Sequence, residues 1–216
     1  MGATLARYGD AMTGDHERHT GAIDHRIDLF LLASLQAGYV TPRQARLTGM
    51  SDSEIADAVS AGSIERVHRD LLRMVPWPAG AFDEYAKWCA WFGCPTAVSH
   101  HSAAELHGLG SLHPHYLHLS CPGSARPRIP RLAVHRLTLP DDDIEVVGPF
   151  RITTPLRTVL DLADSGVSQA VLNEVVADAV AIERIAPVDV LEKSTSRSSH
   201  TVERVERALV ACGRSH

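Results

Sequence analysis

Residues 1–22 mix Gly, Thr, Asp and His without a sustained apolar period and read as a mobile N-terminal arm. From Asp24 the pattern changes. Ile27, Leu29, Phe30, Leu31, Leu32 and Leu35 predict a strongly apolar helix, with Gly38 suited to its C-terminal cap. Thr41 then offers an N-cap and Pro42 stands at the first helical position, opening a short helix through Gln44, Ala45 and Leu47 to Gly49. Ser51 caps the next helix, and Glu54 stands three residues on, the capping-box spacing. Ile55, Ala58 and Val59 share one face of that helix, which stops near Gly62. The runs Ile64–His68 and Leu71–Val75 flank the polar pair Arg69-Asp70 and predict a β-hairpin, closed by Pro76 and Pro78. Helix, short helix, turn, helix and hairpin in this order make a winged helix-turn-helix over residues 24–80.

Residues 82–216 predict a second, mixed domain, so the expected class is α+β: a winged helix followed by a small sheet with several helices. Phe82–Phe92 and Ser99–Leu109 read as helices. Strand-like runs follow at Tyr116–Leu119, Leu132–His135, Ile144–Val147 and Phe150–Ile152. Thr154 and Pro155 open a helix through Leu162, and further helices fit 168–183, 187–193 and 200–211, with a polar linker at Ser194–Ser199.

The chain has 216 residues, is 44% hydrophobic and 22% charged, and so has enough apolar content for a real core. No apolar stretch approaches a membrane span, and the N-terminus lacks the apolar segment of a secretory signal; the expected compartment is the cytoplasm, with no membrane partner. Cys89, Cys94, Cys121 and Cys212 are scattered without a CxxC pair and read as small buried residues. The net charge of −5 sits unevenly. Between Glu105 and Asp141 there is no acidic residue, while Arg126, Arg128, Arg131, Arg136 and five histidines fall there.

A recognition helix reads bases from its exposed N-terminal end while neighbouring cations hold phosphates. Here that helix carries Ser51, Asp52, Ser53, Glu54 and Asp57 and no Arg or Lys. Asp and Glu repel phosphate and accept only from cytosine amino groups. Ser51 and Ser53 therefore remain its candidate contacts. The positive groups lie around it: Arg43 and Arg46 on the preceding helix, and Arg66, His68, Arg69 and Arg73 on the hairpin, with Thr41 and Gln44 at a helix N-terminus. A protomer offers only four or five phosphate contacts, so a homodimer on the DNA, or a modest and salt-sensitive affinity, is expected.

In the second domain, His100, His101 and His107 share one helix; His100 has no ligand type four residues on and His101 has only Glu105 there, so capping and core roles are expected and no metal. The run Asp141-Asp142-Asp143 after Pro140 reads as a solvated turn. Around Arg131, alternation places Leu132, Val134 and Leu137 toward the core and leaves Arg131, Ala133, His135 or Arg136 outward. With Arg126 and Arg128, the arginines Arg131 and Arg136 are candidates for an acidic partner. No Walker loop, GxGxxG, kinase HRD or DFG string, or GxSxG elbow occurs. Arg131, His135, Asp141 and Asp143 are the candidates if the domain is an unusual enzyme.

The strings GYVTPRQARLTGMSDSEIADAVSAGSIERVHRDLLRM, AVSHHSAAELHGL and VHRLTLPDDDIEVVGPFRITTPLRTVLDLA, with their spacing, resemble the AbiEi-type antitoxins over about residues 24–165. The resemblance implies the antitoxin half of a type IV toxin–antitoxin operon. Such a protein binds inverted repeats in its own promoter through the winged helix and counters a nucleotidyltransferase toxin encoded beside it. Two further readings of the second domain stay open: an atypical ATP- and Mg²⁺-dependent protein kinase that inactivates the toxin by phosphorylation, and a plain module that sequesters it. Unless the kinase reading holds, no cofactor is expected.

Overall fold

The computed structural model describes residues 25–93, 95–123 and 129–213. The N-terminal arm, Cys94, Arg126 and Arg128 lie outside them. The chain divides into two compact units, Met1–Trp91 and Phe92–His216.

In the first unit, α1 covers residues 25–34 and buries Leu29 and Ala33 on its inner face. Gly38, at φ +85°, carries the chain out of the helix in the left-handed region that only glycine adopts freely. Strand β1 (Tyr39–Val40) leads to α2 (Pro42–Leu47) and α3 (Asp52–Ser60). Both capping boxes form: Thr41 with Gln44, and Ser51 with Glu54. The wing strands β2 (Ile64–His68) and β3 (Leu71–Met74) meet across Arg69-Asp70, with a register shift between Arg66 and His68. Strand β1, too short to show in the apolar pattern, pairs with β3 and makes the wing a three-stranded sheet in the order β1-β3-β2. Leu29, Ala33, Val40, Ala45, Met50, Ile55, Ala58, Ile64 and Leu72 form one core under the three helices and the wing. Helix α4 (Asp83–Phe92) follows and lays Ala86 and Ala90 against Tyr39 and Leu71.

The second unit is built on a five-stranded sheet in the order β6-β5-β4-β8-β7. Its strands are β4 (Ala97–Val98), β5 (Leu117–Cys121), β6 (Leu132–Arg136), β7 (Ile144–Val147) and β8 (Phe150–Thr153). Pairs β4–β5 and β7–β8 are antiparallel, while β5–β6 and β4–β8 run parallel. Helix α5 (His100–His107) follows β4 and ends at Gly108, φ +70°. Helices α6 (Pro155–Asp164), α7 (Gln169–Ala181), α8 (Pro187–Ser194) and α9 (Ser199–Gly213) enclose an apolar core with Leu109, Val159, Leu172, Val175, Val190 and Val205. Thr154 caps α6 by accepting from the Arg157 N–H, with Pro155 at the first position.

The polar stretch Ser194–Ser199 joins α8 to α9 and is anchored: Ser194 is fully buried, and Arg197 pairs with Asp164 at 2.8 Å. One local expectation is corrected here. On β6, Val134 lies on the exposed side and His135 points inward. Strand β6 is an edge strand whose inward positions meet histidines, so apolar character does not mark its buried face.

Candidate functional site

In the first unit, the exposed surface of α3 offers Asp52, Ser53, Glu54 and Asp57 to solvent. Ser51 is committed to its own cap. Its Oγ accepts from the Glu54 N–H and donates to Glu54 Oε2 at 2.7 Å, which leaves Ser53 as the one serine there outside the capping box. Glu54 is held below the usual carboxylate range by hydrogen bonds from the Ser51 backbone and side chain, so the helix keeps its negative charge. Thr41 and Gln44 close the corresponding box on α2, and Gln44 Nε2 also donates to Gln36 Oε1 at 3.0 Å. The Thr41 and Gln44 N–H groups at the start of α2 thus face acceptors of the same chain.

The cations differ in how committed they are. Arg46 pairs with Asp52 at 2.8 Å and links α2 to α3. Arg73 is largely buried: it reaches Asp83 at 3.3 Å and lies over the Tyr39 ring, 5.4 Å from its centroid. Tyr39 donates to the same carboxylate at 3.0 Å, and burial followed by that bond pushes its phenol up to about 12. Arg73 therefore clamps the wing to α4. Arg66 curls over the tip, donating to the Arg69 carbonyl at 3.0 Å. His68 turns edge-on to Trp91, centroids 5.2 Å apart. Arg43, Arg66 and Arg69 are exposed and form no ion pair among the described residues.

The second unit gathers four histidines from three elements, which the sequence reading did not anticipate. His100 and His101 open α5, His118 lies in β5 and His135 in β6. The His100 and His135 rings stack 3.5 Å apart, and His118 Nδ1 meets His135 Nε2 at 3.0 Å. One of those two nitrogens must carry the hydrogen and the other the lone pair, so the pair is satisfied by neutral imidazoles. Desolvation, with mutual repulsion, pushes His100 down to about 2 and His118 to about 4. Burial also lowers His101, His135 and His107, whose Nε2 meets the Thr153 carbonyl at 2.8 Å. His100 has φ +51°, a left-handed backbone unusual for a side chain of this size. The one visible signal was that His118 and His135 interrupt otherwise apolar strand runs; joining them to α5 needed the parallel β5–β6 register. No group of three or more His, Cys, Asp or Glu among the described residues is arranged to hold a metal ion.

A second buried cluster surrounds Arg157. It donates to Asp161 at 2.7 Å and Asp143 at 3.0 Å, while Lys193 reaches Asp143 at 2.7 Å. Asp143 is therefore buried, unlike its solvated neighbours Asp141 and Asp142; the expectation of a solvated turn is corrected at this one position. Its burial favours protonation, but hydrogen bonds from Lys193 and Arg157 prevail and hold it below the ordinary range. Asp161 goes the other way. Burial raises it to about 6 despite Arg157, and its Oδ2 finds no donor among the described residues. His135 thus belongs to the histidine cluster and Asp143 to the Arg157 cluster, while Arg131 and Arg136 are exposed at the two ends of β6.

A helix-turn-helix with a three-stranded wing defines the first unit as a winged-helix regulator module. Residues 28–75 match the family described as "Transcriptional regulator, AbiEi antitoxin". Over that stretch the match supports the AbiEi-type resemblance and, with it, antitoxin and DNA-binding roles. Among solved structures the chain is similar to the RV2827C protein from Mycobacterium tuberculosis, at TM-score 0.57 and 16% identity, covering 90% of this chain and 78% of that one. At that identity the likeness is one of fold. No curated protein matches the chain. No helix among the described residues is long and apolar enough to cross a membrane.

Proposed function

We propose that the chain is the antitoxin of a type IV pair, repressing its own operon through the first unit and countering a nucleotidyltransferase toxin through the second. The observation that carries the reading is the winged helix itself: a wing tip bearing exposed Arg66 and Arg69, with Arg43 exposed on α2, over the stretch that matches AbiEi regulators. With α3 acidic, phosphate contacts from Arg43, Arg66 and Arg69 supply most of the affinity, and Ser53 and His68 are the remaining candidates for base or sugar contact. So few cations per protomer favour two copies on an inverted repeat. Ile27, Phe30 and Leu31 on α1 and Leu35 just beyond it, each at least half exposed, supply an apolar stripe for that pairing.

A mobility-shift assay on the upstream region, at several salt concentrations, tests the DNA arm. Arg66→Ala/Arg69→Ala should weaken binding and flatten its salt dependence; unchanged binding removes the wing from the mechanism. The second arm is tested by co-expression with the neighbouring nucleotidyltransferase, followed by mass spectrometry of the toxin with and without ATP and Mg²⁺. Growth rescue supports the antitoxin role. A phosphorylated toxin then assigns enzymatic inactivation, and an unmodified toxin that co-elutes assigns sequestration.

A further inference from the structure

Strand β6 ends the larger sheet, and its outer side carries no neighbouring strand among the described residues. Such an edge presents unpaired N–H and C=O groups and is a template for another extended chain. This one is held rigidly. Its inner side pairs with β5 from Leu117↔Leu132 to Cys121↔Arg136, and His135 is stacked on His100 beneath it. At its start Arg131 sits at φ +63°, with its carbonyl accepting from the Leu117 N–H at 2.8 Å. A non-glycine residue in that region is strained and persists only where its surroundings fix it, so the direction in which Arg131 leaves the strand is built in. At the other end, the Leu137 N–H donates to the His135 carbonyl at 3.1 Å and turns the chain away after Arg136. The result is a five-residue edge preceded by exposed Arg131 and ending at exposed Arg136, with exposed Val134 at its centre and the Leu132 N–H turned back onto the Ile129 carbonyl at 3.2 Å.

The geometry points to β6 as a docking edge for an extended acidic segment of a partner protein, added to the sheet as a sixth strand. The occupant follows from charge. No acidic residue occurs between Glu105 and Asp141, so nothing on this stretch neutralises Arg131 or Arg136. A second copy of the chain fits poorly. Antiparallel pairing of two β6 edges brings Arg131 of each copy toward Arg136 of the other, and like charges across a strand pair repel. Pairing β6 with another copy's β7 meets Glu145 already bound by Arg184 at 2.8 Å, so that edge offers no free acid to the arginines. The assignment deepens the antitoxin reading and rests on it only for the partner's identity as the toxin.

The test uses the full chain and an eight-residue peptide of alternating Glu and Val, without DNA or toxin. Amide shifts and hydrogen exchange by NMR should locate the peptide on Leu132–Arg136. Affinity should fall at least about tenfold when alternate peptide amides are N-methylated, and similarly in Arg131→Glu/Arg136→Glu. That variant should in turn prefer a Lys/Val peptide, which shows that it is folded. Protection elsewhere, equal binding of the N-methylated peptide, or sedimentation showing self-association through β6 overturns the proposal. Failure here leaves the antitoxin reading intact. Conversely, a neighbouring nucleotidyltransferase that the chain does not counter overturns that reading even if the peptide binds.

Discussion

Arg157 Nε donates to Asp161 Oδ1 at 2.7 Å, one turn along α6, and both side chains are nearly dry. Its Nη1 reaches Asp143 before β7, and Lys193 of α8 meets the same carboxylate. One guanidinium therefore ties the helical layer to the start of a strand. Removing it leaves buried Asp161 without its main partner and buried Asp143 with Lys193 alone, and breaking such a network costs about 3–5 kcal/mol. Arg157→Met should lose stability on this scale in urea titration of the second unit. Arg157→Lys should recover part of it, because a point charge cannot fork to both acids. A loss in Arg157→Met below about 1 kcal/mol would sink the claim that this network holds the layers together.

The histidine cluster predicts acid lability. His100 and His118 have folded values near 2 and 4, far below an ordinary histidine, so the unfolded chain binds more protons between those values and about 6.5. Their stabilising effect is complete above the unfolded value and is lost as pH falls. Asp161, raised to about 6, opposes this by releasing a proton on unfolding across the same window. At pH 5 the two histidines take up about two protons and Asp161 releases about one, so the net slope still favours higher pH. Unfolding midpoints measured from pH 7 to 4.5 should fall steadily. His118→Gln should flatten the slope even if it lowers stability at pH 7, and an unchanged slope would remove the cluster from the account.

The two units differ in how much the sequence disclosed, and the difference is physical. The Thr41 cap, the Ser51–Glu54 box, the wing turn at Arg69-Asp70 and the Thr154–Pro155 start are set by residues no more than four apart, and each forms as read. The histidine cluster joins positions 100, 118 and 135, and the Arg157 network joins 143, 157, 161 and 193. Those contacts depend on the parallel β5–β6 register and on helix packing, which no local period encodes. Arg73 shows the same limit within the wing. Strand alternation places it on the hairpin, but its pairing with Asp83 depends on where α4 lies.

That pairing separates stability from DNA contact along the wing. Arg73→Ala should lower the unfolding midpoint of the first unit, because it takes from the part-buried Asp83 its cationic partner and leaves the Tyr39 hydroxyl. Arg69→Ala, at an exposed tip, should leave that midpoint within about 0.5 kcal/mol and weaken DNA binding instead. Equal thermal losses in the two variants would contradict this division.

Gly49, in the turn between α2 and α3, has φ +100°, and a Cβ there would overlap the His25 imidazole. Gly49→Ala should cost more than about 1 kcal/mol, through the strained backbone and the displaced ring.

Arg46 and Asp52 make the most direct test of an acidic recognition helix. Their 2.8 Å pair spans the turn between α2 and α3, and both side chains are mostly exposed, so it contributes little to stability. On a duplex its effect is larger: Asp52 repels phosphate and occupies a cation that would otherwise face one. Asp52→Asn keeps the shape, removes the charge and frees Arg46. If the winged helix meets DNA with α2 and α3 toward the backbone, Asp52→Asn should bind the operator more tightly and with a steeper salt dependence, by up to about one further phosphate contact. Arg46→Ala should weaken binding in the Asp52→Asn background more than in the native one, since only there is the guanidinium unpaired. If Asp52→Asn binds no more tightly at any salt concentration, α3 does not approach the duplex, and the wing alone must carry the contact.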